Sequence, residues 1–400
     1  MSDARQPRSL SIVLIAAEES GDALGGALAR ALIEQTGGAV KLGGVGGRAM
    51  AAAGIETPFP IDDLAIIGFN SIPRRLPMIL RRIGETAEMV VAARPDVLVI
   101  IDSPDFTHRV ARRVRRRVPS IPILDYVSPS VWAWRPGRAR AMRAYVDRVL
   151  AILPFEPAVH ERLGGPPCAY VGHPLIERLA DLRPNEAEVQ RRRTDPPLML
   201  VLPGSRSSEI GRLLSIFGEA VARLCARIGP IELVLPTMPH LLPQVRSGVA
   251  GWAVKPRVVT EAAEKWAAFR SARVALAASG TVTLELALSA VPMVAAYRVS
   301  LFEEIVAKII RLRSRLPSVI LANLVIGNNV VPEFLQHDCT PRQIADALVP
   351  LFSDTPERAR QTEAFARLDG IMALAEAPSA KAAGLVLDAA RSGRSGATHS

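Results

Sequence analysis

The chain has 400 residues, 49% of them hydrophobic and only 4% aromatic, and its 49 Lys and Arg against 39 Asp and Glu give a net charge of +10. That length exceeds one ordinary core and fits two domains, while the aliphatic composition disfavours an aromatic-rich β-sandwich and favours α/β layers. No apolar run approaches the ~20 residues of a membrane-spanning helix, and three scattered cysteines, Cys168, Cys225 and Cys339, offer neither a disulfide framework nor a zinc site. A reducing cytoplasm suits them.

The first 17 residues imitate a signal peptide, basic and then apolar. The run LSIVLIAA passes straight into Glu18-Glu19 and a helical pattern, so it reads as a first core strand. Further strand-like runs follow at βα spacing: VKLGGV (40–45), DVLVII (96–101), IPILDYV (121–127), RVLAIL (148–153) and AYV (169–171). Helical patterns at 23–34 and 106–117 separate some of them. Residues 176–197 turn polar and rich in Arg, Glu and Pro, as a linker would.

A second series comprises LMLVLP (198–203), IELVLP (231–236), KPRVVT (255–260), ARVALAA (272–278) and VPMVAAY (291–297), with helical patterns at 208–224 and 281–290. Two successive βαβ series predict two Rossmann-like domains facing each other across a cleft. The boundaries are 1–180 for the first domain and 195–350 for the second, then helices and a tail over 351–400. The ends MSDARQPRS and RSGRSGATHS have the composition of disordered segments.

In open α/β sheets ligands lie beyond the carboxyl ends of strands, so the loops there carry the chemistry. AAEESGD (16–22) follows the first strand, and GGVGGRAMAAAG (43–54) loosely imitates a dinucleotide fingerprint. IIDSPDF (100–106) ends an apolar strand with Asp102, placed as a general base, and Asp105, better suited to capping the next helix. PGSRSSE (203–209) sets Ser205, Arg206 and Ser207 at a helix N-terminus, where N–H groups and a guanidinium attract an anion. ASGTVTLE (278–285) repeats that design with Ser279, Gly280 and Thr281; Glu285, one turn on, can accept from ribose hydroxyls. Together the two loops imply a nucleoside diphosphate. No P-loop motif is present.

Three basic stretches stand out: RRLPMILRR (74–82), RVARRVRRRV (109–118) and KIIRLRSR (308–315). In the first and third, arginines alternate with Leu, Ile and Met, which suits lipid headgroups and acyl chains better than nucleic acid. The second is equally a solvated helix face.

The motifs AAEESGDALGG, GVGGRAMAAAGIE, RPDVLVIIDSPDF, YVSPSVWAWR, LPFEP, YVGHP, LPGSRSSEI, ASGTVTLELAL and ANLVIGNNVVPEFLQ occur in that order. With them the chain resembles the lipid-A-disaccharide synthase family over residues 11 to about 350, YVSPSVWAWR being the most specific signature. The resemblance implies a GT-B fold and an inverting glycosyltransferase without a metal or other cofactor. The implied substrates are UDP-2,3-diacylglucosamine and 2,3-diacylglucosamine 1-phosphate; the products are a β-1,6-linked disaccharide phosphate and UDP. It assigns the base to Asp102 and nucleotide contacts to Arg206, Glu285 and Asn323, alongside Ser205, Ser279, Gly280 and Thr281. Glu18 and Ser20 fall on the family's acidic residue and serine after the first strand. The chain departs from the family pattern at Ala17, Glu19 and Ala322.

The acylated substrates imply work at the cytoplasmic face of the inner membrane, because moving one chain of about a dozen carbons into water costs roughly 10 kcal/mol. Residues 66–83, with Arg74, Arg75, Arg81 and Arg82, are the expected docking segment. Nucleic acid is not an expected partner, and the family suggests a homodimer. Within YVSPSVWAWR, Ser128, Ser130 and Arg135 are the candidates for touching substrate. For Trp132 and Trp134, packing and sugar stacking are both open.

Overall fold

A computed structural model of the chain describes residues 9–64, 72–299 and 317–397, without the side chains of residues 62, 72–75 and 394–397. Residues 66–71 of the expected docking segment and the basic stretch 308–315 therefore lie outside the described residues. The chain divides into two compact units. The first runs through Ile176 and resumes at Leu374; the second is Glu177–Ala373.

Strands of the first unit are β1 (Leu10–Ala16), β2 (Val40–Val45), β3 (Val97–Ile101), β4 (Ile123–Tyr126), β5 (Arg148–Ala151) and β6 (Cys168–Tyr170). All pair in parallel, in the order β2-β1-β3-β4-β5-β6. Residues 97–101 are buried throughout, which is why this strand reads as an unbroken aliphatic run. The helices are α1 (Glu19–Gln35), α2 (Arg48–Ala51), α3 (Ile72–Ala93), α4 (Pro104–Arg117), α5 (Gly137–Met142) and α6 (Glu156–Arg162).

The glycine-rich turn before α2 serves packing. A Cβ on Gly26 of α1 would stand 2.7 Å from the Ala49 carbonyl, so glycine lets the two helices touch. Buried Asp22 then caps α2, accepting from the backbone N–H groups of Gly47 (2.7 Å), Ala49 (2.8 Å) and Met50 (3.0 Å). With those donors taken by a carboxylate, the turn is not the dinucleotide cradle its glycines imitate.

The second unit holds β7 (Leu198–Leu202), β8 (Glu232–Pro236), β9 (Arg257–Val259), β10 (Val274–Ala278), β11 (Met293–Tyr297) and β12 (Glu333–Leu335), in the order β12-β11-β10-β7-β8-β9. Its helices are α7 (Leu179–Leu182), α8 (Glu186–Arg191), α9 (Ser207–Ile228), α10 (Leu242–Val249), α11 (Ala262–Ser271), α12 (Val282–Leu288), α13 (Leu321–Ile326), α14 (Pro341–Leu348), α15 (Pro356–Ala366) and α16 (Leu368–Met372). Composition predicts a linker over 176–197, yet the segment folds into this unit. Arg192 donates to the carbonyls of Phe269, Arg270, Ser289 and Ala290, and Glu188 pairs with Arg270 at 2.8 Å.

A last helix, α17 (Pro378–Ala397), returns to the first unit and packs along α1. Ala382, Ala383, Val386, Leu387 and Ala390 share a core with Leu24, Leu28 and Leu32. The helix continues through Ala397, into the segment whose composition predicts disorder.

Candidate functional site

Each sheet has one place where the chain reverses its direction of growth. In the first unit it lies between β1 and β3, and the register pairs Ala16 with Ile101. The loop after β1 and the tip of β3 therefore stand side by side, where an α/β sheet binds its ligand. Ser20 donates to Asp102 Oδ2 at 3.0 Å, and the Ser103 N–H donates to Oδ1 at 2.7 Å. Asp102 is half-buried, while Glu18, Glu19 and Ser20 are exposed. Glu18 occupies the N-cap position of α1 without a side-chain cap bond.

Asp102 and Ser103 both have left-handed backbones, φ +51° and +45°. Each such non-glycine residue costs on the order of 1–3 kcal/mol and persists where surrounding contacts over-determine it. Here Thr107 donates to the Asp102 carbonyl at 2.7 Å, and the Asp102 N–H donates to the Tyr126 carbonyl at 3.0 Å. The carboxylate thus stands at the carboxyl end of the sheet with both oxygens oriented by donors.

The segment 127–135 follows β4, the next strand. Val127, Ser130 and Arg135 have φ of +84°, +38° and +51°. Ser128 is buried and pairs with His160 Nε2 at 2.8 Å, so it braces the loop from beneath. Ser130 and Arg135 are exposed, and Arg135 lies 4.6 Å over the Trp134 ring. Trp132 meets Phe155 edge-on at 5.6 Å and donates its Nε1–H to Glu156 Oε1 at 3.2 Å. Of the two readings open for it, Trp132 is packing.

Burial pushes the Glu156 carboxyl up to about 7, opposed by the N–H groups of Leu153 and Trp132 that it accepts. Burial pulls His160 below its ordinary value, against the charge of Asp125. Because the folded Glu156 binds its proton more tightly than the unfolded residue, stability is greatest below pH ~4.5, falls as pH rises to about 7, and levels off above. Glu156→Gln is expected to remove a decline on the order of 1–3 kcal/mol between pH 5 and 8. Thermal melts of the two proteins across that range, parallel at every pH, would exclude it.

In the second unit the reversal lies between β7 and β10, whose register pairs Leu202 with Ala277. Loops 203–206 and 279–281 consequently sit side by side, one opening α9 and the other α12. Gly204 has φ +118°, and a Cβ there would stand 2.4 Å from Glu209 Oε2. That buried carboxylate accepts from the N–H groups of Ser205 (3.0 Å) and Arg206 (3.2 Å), from Arg206 Nη1 (2.9 Å) and from the Tyr297 hydroxyl (3.2 Å). The Arg206 side chain is nevertheless 75% exposed. These N–H groups, expected from sequence to meet an anion, are taken by Glu209, whose Arg-x-x-Glu position at a helix start has capping-box spacing.

Ser279 donates its hydroxyl to the Val319 carbonyl at 2.8 Å, so its side chain braces a neighbouring loop. Gly280 has φ +149° and nothing where a Cβ would be; Thr281 is exposed at the helix start. Glu285 pairs with Lys265 Nζ at 2.9 Å, a partner on α11 that no local pattern announces. Asn323 corrects an expectation. It is 1% exposed, donates to Ser318 Oγ and the Val331 carbonyl, and accepts from the N–H groups of Val330 and Val331. With its amide fully used, Asn323 organises loop 318–331 and has no group left for a nucleotide.

Among the expected docking arginines, Arg74 and Arg75 have side chains outside the described residues. Arg81 pairs with Glu85 at 2.6 Å, while Arg82 pairs with Glu85 and Asp63 and lies 4.4 Å over Phe59. Leu76 and Leu80, one turn apart on α3, are exposed. Further along, α3 and α4 enclose a pocket of about 410 Å³ lined by Gly84, Ala87, Glu88, Arg113, Arg116 and Arg117. Within the 109–118 stretch, Arg112 is engaged with Tyr145, Arg115 with Asp147, and the pocket-lining Arg117 with Glu88. Among the described residues no three His, Cys, Asp or Glu gather as metal ligands would.

The sequence model of a family described as lipid-A-disaccharide synthetase matches residues 12–383. A lipid-A-disaccharide synthase of Bradyrhizobium diazoefficiens is 59% identical over 98% of this chain and 100% of its own. One of Rhodospirillum centenum is 42% identical over 95% of each chain. Among solved structures, a putative UDP-N-acetylglucosamine 2-epimerase from Listeria monocytogenes aligns with TM-score 0.60 at 14% identity, covering 96% of each chain. MurG of Acinetobacter baumannii aligns with TM-score 0.56 at 16% identity, covering 95% of this chain and 99% of its own. At such identities these structures speak for the fold alone: two Rossmann-like halves of the GT-B kind.

Proposed function

The chain belongs to the lipid-A-disaccharide synthase family, glycosyltransferases of lipid A biosynthesis, and from that premise we propose that it joins UDP-2,3-diacylglucosamine to 2,3-diacylglucosamine 1-phosphate. The products are a β-1,6-linked disaccharide 1-phosphate and UDP. The first unit takes the acylated acceptor and the second the UDP moiety. Asp102 removes the proton from the acceptor 6-hydroxyl as that oxygen attacks the anomeric carbon from the face opposite UDP, inverting the centre. UDP is a good leaving group, so the remaining task is to hold the growing diphosphate charge. The exposed Arg206 side chain and the helix start at 279–281 do this, the N–H groups of Ser205 and Arg206 being held by Glu209, and Glu285 accepts from the ribose.

The observation that supports this reading best is Asp102 itself: a partly exposed carboxylate at the switch point of its sheet, on a strained backbone, with Ser20 and Ser103 fixing both oxygens. The test is UDP release from UDP-2,3-diacylglucosamine with and without the acylated sugar phosphate. Release that depends on the acceptor is expected. A sugar nucleotide consumed without UDP release would instead favour an epimerase.

Lipid substrates call for a lipid surface. No helix among the described residues is long and apolar enough to cross a membrane. Exposed Leu76 and Leu80, with Arg113, Arg116 and Arg117 of α4 lining a pocket further along α3, suit peripheral docking at the cytoplasmic face of the inner membrane. Leu76→Ser with Leu80→Ser is expected to weaken binding to anionic vesicles at least about tenfold, since each buried leucine contributes ~1.5–3 kcal/mol. Undiminished sedimentation with vesicles would move the docking surface elsewhere. A homodimer, suggested by the family, belongs to the same proposal and is read by sedimentation velocity.

A further inference from the structure

The segment 127–135 carries three non-glycine residues with positive φ, each in a conformation that a free loop would leave. What keeps it there is α6. Glu156 and His160 are four residues apart, hence on one face of that helix, and both side chains are buried. His160 Nε2 meets Ser128 Oγ at 2.8 Å, just after the first left-handed residue, Val127. Glu156 accepts from Trp132 Nε1 at 3.2 Å, between the other two, Ser130 and Arg135. Apolar packing closes the same contact, with Val131 and Ala139 against Val159, and Trp132, Phe155 and Leu163 at the rim.

Polar contacts of this kind are expensive to bury and offer less stability than apolar ones of the same shape, so their use calls for a reason beyond stability. Position supplies one. β4 pairs with β3, Ile101 with Tyr126, so the loop begins beside the tip that holds Asp102. Its exposed residues, Ser130 and Arg135, are the ones left free by the clamp, while Arg138, just past the loop, reaches Asp105 on the first turn of α4 at 3.7 Å.

We infer that Glu156 and His160 are positioning residues: from α6 they clamp the strained 127–135 loop and so fix where Ser130 and Arg135 stand beyond the strand next to Asp102. Neither touches the reacting atoms; both act through Ser128 and Trp132. Misplacing groups by about an ångström costs on the order of a hundredfold in rate. The loop belongs to the first unit, so the loss falls on turnover and on the acceptor, not on UDP.

The inference rests on the transferase reading. The test compares His160→Ala with His160→Gln, and Glu156→Ala with Glu156→Gln, in the full chain. The alanine variants are expected to lose roughly tenfold to a hundredfold in kcat, with KM for the UDP-sugar within about twofold. Glutamine, which keeps a hydrogen-bonding group for Ser128 or Trp132, restores most of the loss, and Trp132 emission shifts with Glu156→Ala but not with Glu156→Gln. Folded alanine variants with native kcat would overturn the clamp, as would losses that follow thermal stability and are not rescued by glutamine. A native protein that releases no UDP would sink the transferase reading instead, and the Trp132 emission would still report whether Glu156 holds the loop.

Discussion

Asp102→Asn is expected to lower turnover about 10²–10⁴-fold, the usual contribution of a positioned general base, while UDP still binds. The substitution is nearly isosteric, and the surrounding hydrogen bonds can survive it. The amide oxygen can accept from the Ser103 N–H in place of Oδ1, and the amide nitrogen can donate to Ser20 in place of Oδ2. Folded stability should therefore change by less than about 1 kcal/mol. What disappears is the ability to take a proton. Steady-state kinetics with a UDP-binding titration on the same protein separates the two effects, and near-normal turnover would remove Asp102 from the role of base.

Arg206→Ala should act on the other substrate. Two charge-assisted hydrogen bonds from a guanidinium to a diphosphate stabilise the complex by about 3 kcal/mol, so KM for the UDP-sugar should rise roughly a hundredfold. kcat should fall as well, because negative charge on the diphosphate grows as the glycosidic bond breaks. The loop should not collapse: Glu209 keeps the N–H groups of Ser205 and Arg206 and the Tyr297 hydroxyl when the side chain is gone. The lost ion pair with Glu209 is too exposed on the arginine side to matter much for folding. Arg206→Lys, a point charge without the planar fork, should recover only part of the binding. Calorimetric titration with UDP reads all three proteins; equal affinity in each would show that this helix start does not hold the diphosphate.

Much of the fold was legible because parallel strands buried on both faces leave aliphatic runs in the sequence. VLVII and LMLVL declare themselves in this way. β12 did not, being three half-buried residues, Glu333–Leu335, directly after a proline. The segment 177–197 failed for a different reason. Its arginines look solvated in sequence, but half-buried Arg192 is held by carbonyls up to 98 positions away, which no local pattern encodes.

The site divides along the same line. Asp102 is conspicuous in sequence as a carboxylate ending an apolar strand. Glu285 stands out in sequence by its spacing from Thr281, but its partner Lys265 lies on another helix. Asn323 was given a ligand's role by resemblance, whereas its four hydrogen bonds close within its own loop. For Trp132 the sequence allows both packing and stacking, and its contacts with Phe155 and Glu156, from a different loop and helix, are what make it packing.

The return of α17 to the first unit sets an order on biosynthesis. When the ribosome has made residue 176, every strand of the first sheet exists, but the side of α1 along which α17 packs has no cover. Its cover is encoded beyond residue 377, after the whole of the second unit. At roughly 5–20 residues per second that wait lasts about ten to forty seconds. The half of the protein translated first is thus the half completed last, and for that interval a nascent chain shows an apolar helix face to whatever chaperones attend it.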